Sequence, residues 1–193
     1  MKKVFMIHGY KGEPNGGWRP WLKEQLEKNG ISVELLSMPN PNFPKEKEWV
    51  KTIKNSVGNP SQDIFLVGHS LGGSAILRYL ESLSLTSKIG GVVLVSSPKR
   101  IVIKNLEGLI KWFILRNFFN RPFNFKYVRN ICHNFVVIHG DDDKLVPLPQ
   151  AKEISELLSC PLIVVPRGGH LNDESGWYQL PQALEILLKM INK

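Results

Sequence analysis

The hexapeptide Gly68-His69-Ser70-Leu71-Gly72-Gly73 stands directly behind the apolar run Ile64-Phe65-Leu66-Val67 and ahead of Ser74-Ala75-Ile76-Leu77-Arg78-Tyr79. A short β-branched and aromatic run that passes through glycines into a helical pattern is the sequence of a strand turning sharply into a helix. In that setting Gly-x-Ser-x-Gly reads as a nucleophile elbow. A serine on so tight a turn needs neighbours without bulky side chains, which accounts for Gly68 and Gly72 on either side of Ser70. The turn also sets Ser70 at a helix N-terminus, where free N–H groups and the helix dipole favour a developing negative charge. In other surroundings the same pentapeptide is an ordinary glycine-rich turn; the strand before and the helix after separate the two readings.

The rest of the chain repeats that alternation. Apolar runs predict strands near 3–8, 32–36, 63–67, 91–96, 134–139 and 161–165. Amphipathic runs predict helices near 18–29, 45–56, 70–83, 147–158 and 179–191, bounded by Pro, Ser, Asn or Gly. The expected fold class is α/β: three layers, with a mostly parallel six-stranded sheet between helices. With 193 residues and no repeat or linker, the chain suits one domain spanning 1–193. A chain of that size buries roughly 70 % of its unfolded surface.

One segment interrupts the pattern. Between the strand ending near Ser96 and the one starting near Asn134 the chain is longer than a crossover helix requires, so an insertion at about 99–130 is expected, with a functional purpose. Leu106, Leu109, Ile110 and Phe113 follow i, i+3, i+4, i+7 spacing, with Lys104, Glu107, Gly108 and Lys111 on the opposite side, the pattern of an amphipathic helix. From Trp112 onward the helix is apolar all round. Either the insertion packs on the domain, or it forms a small cap whose Trp112, Phe113 and Phe119 line an apolar substrate pocket.

The formal net charge is +8, and its distribution is local. Lys99, Arg100, Lys104, Lys111, Arg116, Arg121, Lys126 and Arg129 face a single acid, Glu107, which gives that segment a net +7. No zinc-finger spacing or ribonucleoprotein motif accompanies it, so no nucleic-acid partner is expected. Contact of the basic segment with an anionic membrane surface, Trp112, Phe118 and Phe119 inserting, is the weaker alternative to a solvated basic face. The apolar runs around Trp112 and Phe135 stop at four residues, far short of the ~20 that cross a bilayer. With no secretory pattern at Met1-Lys2-Lys3, the two cysteines, Cys132 and Cys160, are expected as reduced thiols in a cytoplasmic protein.

An activated serine needs a base, and the base a carboxylate that holds its tautomer. In this architecture the chain order is Ser, then Asp or Glu, then His. Of the five histidines, His8, His69, His133, His139 and His170, only His170 follows the last predicted strand, in the loop Pro166-Arg167-Gly168-Gly169-His170. His8 and His139 each end a strand and precede glycine, which suits local hydrogen bonding. The acid is expected past the fifth strand, in Gly140-Asp141-Asp142-Asp143-Lys144. Asp143 is the first choice, Asp142 the alternative, and Asp141 a loop residue facing solvent. Two backbone N–H groups, of Leu71 and of Tyr10 in His8-Gly9-Tyr10-Lys11-Gly12, are expected to form the oxyanion hole. No cofactor and no metal is implied: the Walker pattern is absent, and the Asp turn lacks further carboxylates for a divalent cation.

At this point the chain resembles the α/β-hydrolase superfamily, and more narrowly the small serine hydrolases similar to retinoblastoma-binding protein nine and the bacterial YdeN-like proteins. Trp18-Arg19-Pro20-Trp21-Leu22 with Glu24 and Leu26 resembles that family's paired-tryptophan first helix. Met38-Pro39-Asn40-Pro41 is similar to its Met-Pro-Asp/Asn-Pro turn, and Arg121-Pro122-Phe123-Asn124-Phe125 to its Arg-Pro-aromatic segment. The resemblance implies a compact sheet, a Ser70, Asp143, His170 triad and carboxylesterase-like activity on a small-molecule acyl substrate, in a monomer or small homo-oligomer. It does not carry over a retinoblastoma-type interaction, and Lys99 to Phe119 departs from the family pattern. The competing reading is a binding or receptor protein that keeps hydrolase geometry without turnover.

Overall fold

A computed structural model describes residues 1–103 and 105–192 of the chain. Six strands, β1 (Lys3–Ile7), β2 (Ser32–Leu36), β3 (Ile64–His69), β4 (Gly91–Val95), β5 (Phe135–Gly140) and β6 (Leu162–Val165), form one sheet in the order β2-β1-β3-β4-β5-β6. Every pairing is parallel. The helices are α1 (Arg19–Lys28), α2 (Glu46–Val57), α3 (Leu71–Glu81), α4 (Leu106–Phe119), α5 (Phe125–Ile131), α6 (Leu148–Leu158) and α7 (Pro181–Ile191). Element boundaries match the sequence reading to within a few residues, and α5 is an addition to it.

Because successive strand side chains point to opposite faces, each central strand supplies two cores. Phe5, Ile7, Leu66, Val92, Leu94 and Val137 pack with the inward sides of α2, α3, α5 and α6. Val4, Met6, Val67, Val93, Val95 and Ile138 pack on the other face against Trp18, Leu22 and Leu26 of the α1 region and Ala183 and Leu187 of α7. Burial on both faces explains why these strands read as continuous Val, Ile and Leu runs. Full burial of each such side chain stabilises the fold by about 1.5–3 kcal/mol.

The strand order reverses at β1, since β2 lies on one side of it and β3 on the other. In open parallel sheets such a switch point leaves a crevice beyond the carboxyl ends of the strands. The loop after β1 and the turn after β3 both open into it.

The 99–130 segment holds two helices with side-chain caps: Asn105 accepts from the Gly108 N–H and Asn124 from the Tyr127 N–H. Its C-terminal part is tied down. Buried Arg78 of α3 donates to the Phe118 carbonyl at 3.0 and 2.8 Å, pairs with Glu81 at 2.7 Å and lies over the Phe123 ring. Asn117 accepts from the Glu46 N–H and donates to the Pro44 carbonyl. The rotation of α4 about its axis is the reverse of the amphipathic expectation. Gly108, Leu115 and Phe118 are buried, whereas Leu106, Ile110 and Phe113 are 72 %, 52 % and 58 % exposed. Lys104, read as part of the polar side, lies outside the described residues.

Candidate active site

Ser70 sits between β3 and α3 with φ 52° and ψ −125°, a left-handed conformation that costs a non-glycine residue of order 1–3 kcal/mol. Close packing around the turn enforces it. A Cβ on Gly68 would lie 2.5 Å from the Gly73 backbone, and one on Gly72 2.3 Å from the Ile7 carbonyl oxygen. The Ser70 N–H donates to the Val95 carbonyl at 2.8 Å, which fixes the turn to β4 and aims the hydroxyl into the crevice.

His170 arrives from the loop after β6. Its Nε2 lies 2.9 Å from Ser70 Oγ, and its Nδ1 2.8 Å from Asp143 Oδ2. A carboxylate only accepts, so Nδ1–H donates to it and the neutral ring presents the Nε2 lone pair to the serine hydroxyl. Asp143 is buried, and its Oδ1 accepts from the Leu145 and Val146 N–H groups, each at 2.9 Å. The neighbouring aspartates hold the loop rather than the ring: Asp142 accepts from the Gly169 N–H and Asp141 from the Arg167 N–H, both at 2.7 Å. Three adjacent carboxylates thus serve three separate atoms of one loop. Asp141, expected to face solvent, is exposed and also makes one of these bonds. The loop turns through left-handed Arg167, Gly169 and Leu171, and Trp18 Nε1–H closes it by donating to the Leu171 carbonyl at 2.8 Å. The first tryptophan therefore fixes the loop that carries His170, a contact that sequence spacing does not disclose.

Beside Ser70 the chain leaves β1 through Gly9, where a Cβ would come 2.8 Å from Ser70 Cβ. Lys11 N–H donates to the Pro41 carbonyl at 2.9 Å, and Gly12 N–H to the Gly9 carbonyl at 3.1 Å. The N–H groups of Tyr10 and Leu71 find no acceptor among the described residues. Both Tyr10 and Leu71 line the cavity at Ser70.

Two cavities meet at Ser70 and His170. One, of about 200 Å³, is walled mainly by Ile101, Val102, Leu115, Leu145 and Val146, with Arg100, Asn105 and Lys144 also lining it. The other, of about 510 Å³, is polar, with Lys11, Glu13, Arg19, Asp173 and Glu174 around it. Glu107 and Lys111 stand between the two and line both. Trp112, Phe113 and Phe119, expected to line the substrate pocket, line neither. Phe113 points to solvent, Trp112 stacks edge-on against Phe113, and Phe119 packs on the core beside Phe118 and Phe123. The glycine at position 108 was the available signal, because a close backbone approach needs a residue without a side chain: a Cβ there would be 3.0 Å from the Val102 carbonyl. No group of three or more His, Cys, Asp or Glu able to hold a metal occurs among the described residues. Both cysteines are free, and burial pushes the Cys132 thiol up to about 12 and Cys160 up to about 11, leaving neither a nucleophile.

Three buried histidines surround this site without sharing its chemistry. His8 donates from Nδ1 to the Gly9 carbonyl and accepts the Met38 N–H at Nε2. His69 donates to the His170 carbonyl at 3.0 Å and stands edge-on to both Trp18 and His170. His139 donates to the Val146 carbonyl at 2.8 Å, with Asp143 Oδ2 3.5 Å away. Burial lowers the pKa of all three, that of His69 furthest. The unfolded chain, with histidines near pH ~6.5, therefore binds protons that the native state refuses. The contribution to stability is full above that value and is lost as the pH falls below it. Urea unfolding should therefore give a lower free energy at pH ~5.5 than at pH ~7.5, by no more than about 1.4 kcal/mol per histidine. Equal values at the two pH settings would mean that the rings charge within the fold.

Chain order and sheet position together place the molecule among the α/β-hydrolases: serine after the third strand, acid after the fifth, histidine after the sixth, all at the carboxyl edge of a parallel sheet. A family model described as serine hydrolase matches residues 4–189. The YdeN protein of Bacillus subtilis (strain 168), named as a hydrolase, is 33% identical over 192 residues, 100% of this chain and 97% of that protein. The chain belongs to the serine hydrolase family and is a YdeN-like α/β-hydrolase. The crystal structure of the ydeN gene product from B. subtilis superposes with a TM-score of 0.92 at 31% identity, covering 100% of both chains. Est1E from Butyrivibrio proteoclasticus shares the fold, with a TM-score of 0.72 at 16% identity over 100% of this chain and 89% of that one.

Proposed function

We propose that the chain is a carboxylesterase-like serine hydrolase acting on a small acyl ester through an acyl-enzyme. The observation that carries this reading is the unbroken hydrogen-bonded path Ser70 Oγ–His170–Asp143, at 2.9 and 2.8 Å. As Ser70 Oγ attacks the ester carbonyl, His170 Nε2 takes its proton, and Asp143 stays ionised beside the imidazolium. The N–H groups of Tyr10 and Leu71 hold the oxyanion. His170 returns the proton to the leaving alcohol, then takes one from the water that cleaves the acyl-enzyme, and Ser70 regains its hydrogen. Thioesters and amides follow the same route with a different leaving group.

The apolar cavity under α4 suits the acyl chain, with the 99–130 segment as its cap, and the larger polar cavity suits the leaving group. A volume near 200 Å³ favours short acyl chains. The two free thiols fit a reducing, cytoplasmic setting, and no described helix is long and apolar enough to cross a membrane. A fluorophosphonate probe should label the folded protein at Ser70 and leave Ser70→Ala unlabelled, with short p-nitrophenyl esters turned over only by the wild type. A folded wild type that neither labels nor turns over would leave the receptor reading in its place.

A further inference from the structure

The helix that roofs the Ser70 cleft carries its apolar stripe on the outside. Leu106, Leu109, Ile110 and Phe113 fall within one third of a turn of each other at 100° per residue, and Ile103 precedes them. The last turn of α4 is fixed by Arg78 and Asn117. The inward side is already filled by Gly108, Leu115 and Phe118, so the stripe cannot turn inward without undoing these contacts. Four large apolar side chains between 38 % and 72 % exposed on one stripe of α4, with exposed Ile103 just ahead of the helix, are more than scattered surface hydrophobics, and mark a surface that meets something other than water.

Charge decides what. The stripe lies within the 99–130 segment, which carries eight Lys and Arg to one acid. Of these, Lys99 and Arg100 pair with Glu153, Lys111 with Glu107 and Arg121 with Glu46, so the cation at the stripe itself is Arg116. Arg116 extends along its edge over the rings of Trp112 and Phe113, 5.5 and 5.7 Å from their centroids, with no carboxylate within 4.0 Å among the described residues. Two copies meeting on this face would bring two such segments together, and like charges at close range oppose association. An anionic lipid surface offers both complements: phosphate charge for the cations and an acyl boundary for Leu106, Ile110 and Phe113. We infer that the outer face of α4 docks this protein on an anionic bilayer surface. Docking there sets the cavity between α4 and Ser70 at the lipid boundary. The residues differ from the Trp112, Phe118 and Phe119 of the sequence expectation, since Phe118 is buried and Phe119 packs on the core.

The inference stands apart from the chemistry at Ser70 and is tested without it. In sedimentation with vesicles of phosphatidylcholine alone or of phosphatidylcholine and phosphatidylglycerol in equal parts, the protein should pellet with the mixed vesicles only, and less so as salt is raised. Leu106→Glu and Ile110→Glu, both at exposed positions away from the cavities, should each weaken that binding by about tenfold while leaving turnover of a water-soluble p-nitrophenyl ester unchanged. Equal binding to both vesicle types, no binding to either, or variants that bind as the wild type does would each overturn the inference. So would a wild-type dimer, seen by light scattering, that Ile110→Glu dissociates, for it would assign the stripe to a second copy.

Discussion

Ser70→Ala and His170→Ala are each expected to lower kcat for an ester substrate by about a millionfold, and the double variant to lose no more than either single one. The reason is that hydroxyl and imidazole act as one unit: without the base at 2.9 Å the serine is a poor nucleophile, and without the serine the base has nothing to activate. Residual turnover measures what the Tyr10 and Leu71 N–H groups and the cavity still contribute. Losses that multiply in the double variant would show the two side chains acting independently, and a proton path between them would have to be abandoned. The aspartates sharpen the test. Asp143→Asn should cost about ten thousandfold by presenting the wrong tautomer to the serine. Asp142→Asn keeps an oxygen for the Gly169 N–H and should cost less than about tenfold. Comparable losses at the two positions would mean that the acid alternates between them.

The distinction between Asp143 and Asp142 marks the limit of what a sequence can carry. Three carboxylates in a row are equivalent in composition and nearly so in chain position. They differ by which loop atom each one meets, and that depends on a neighbouring loop with three residues in left-handed conformation. Ser70 and His170 were legible because their positions follow from element order, and element order follows from periodicity: buried strands as apolar runs, helices as 3.6-residue patterns between proline, glycine and asparagine. The reversal of strand order at β1 then sets the crevice where those two residues meet.

The orientation of α4 was not legible for a related reason. An amphipathic pattern states which side of a helix is apolar, and the step from apolar to inward assumes that the core is what covers it. Here tertiary ties decide otherwise. Phe118 is fully buried edge-on to Trp49, Asn117 is bound to the start of α2 and Arg78 grips the last carbonyls. Those contacts rotate Glu107, Gly108 and Lys111 toward the cleft and leave the apolar stripe outside. Of the expected pocket residues, only Phe113 belongs to that stripe and turns outward with it, whereas Phe119 packs on the core and Trp112 against Phe113.

Gly72→Ala should be the most damaging single methyl addition at the nucleophile turn. In a helix, alanine ordinarily outranks glycine by about 1 kcal/mol, so intrinsic propensity argues for stabilisation. Packing argues against it and prevails, because the added Cβ would lie 2.3 Å from the Ile7 carbonyl oxygen and 2.6 Å from that of His8. These are backbone atoms at the end of β1, and that strand is held on both sides by parallel pairing to β2 and β3. Neither it nor α3 can yield alone. The expected cost is about 3 kcal/mol, the upper end of overpacking, or a fall in Tm of about 6–12 °C for a chain of this length. Gly30→Ala supplies the contrast: it has φ +74° but nothing within 4 Å, so only the left-handed conformation resists it, at about 1–2 kcal/mol. Activity should fall further than stability explains for Gly72→Ala, since any retreat of α3 from β1 separates the Leu71 N–H from the Tyr10 N–H across the oxyanion position. A Gly72→Ala protein that melts with the wild type and keeps its turnover would show that α3 can move away from β1 at no cost, and the close approach could then not be what holds Ser70 in its strained turn.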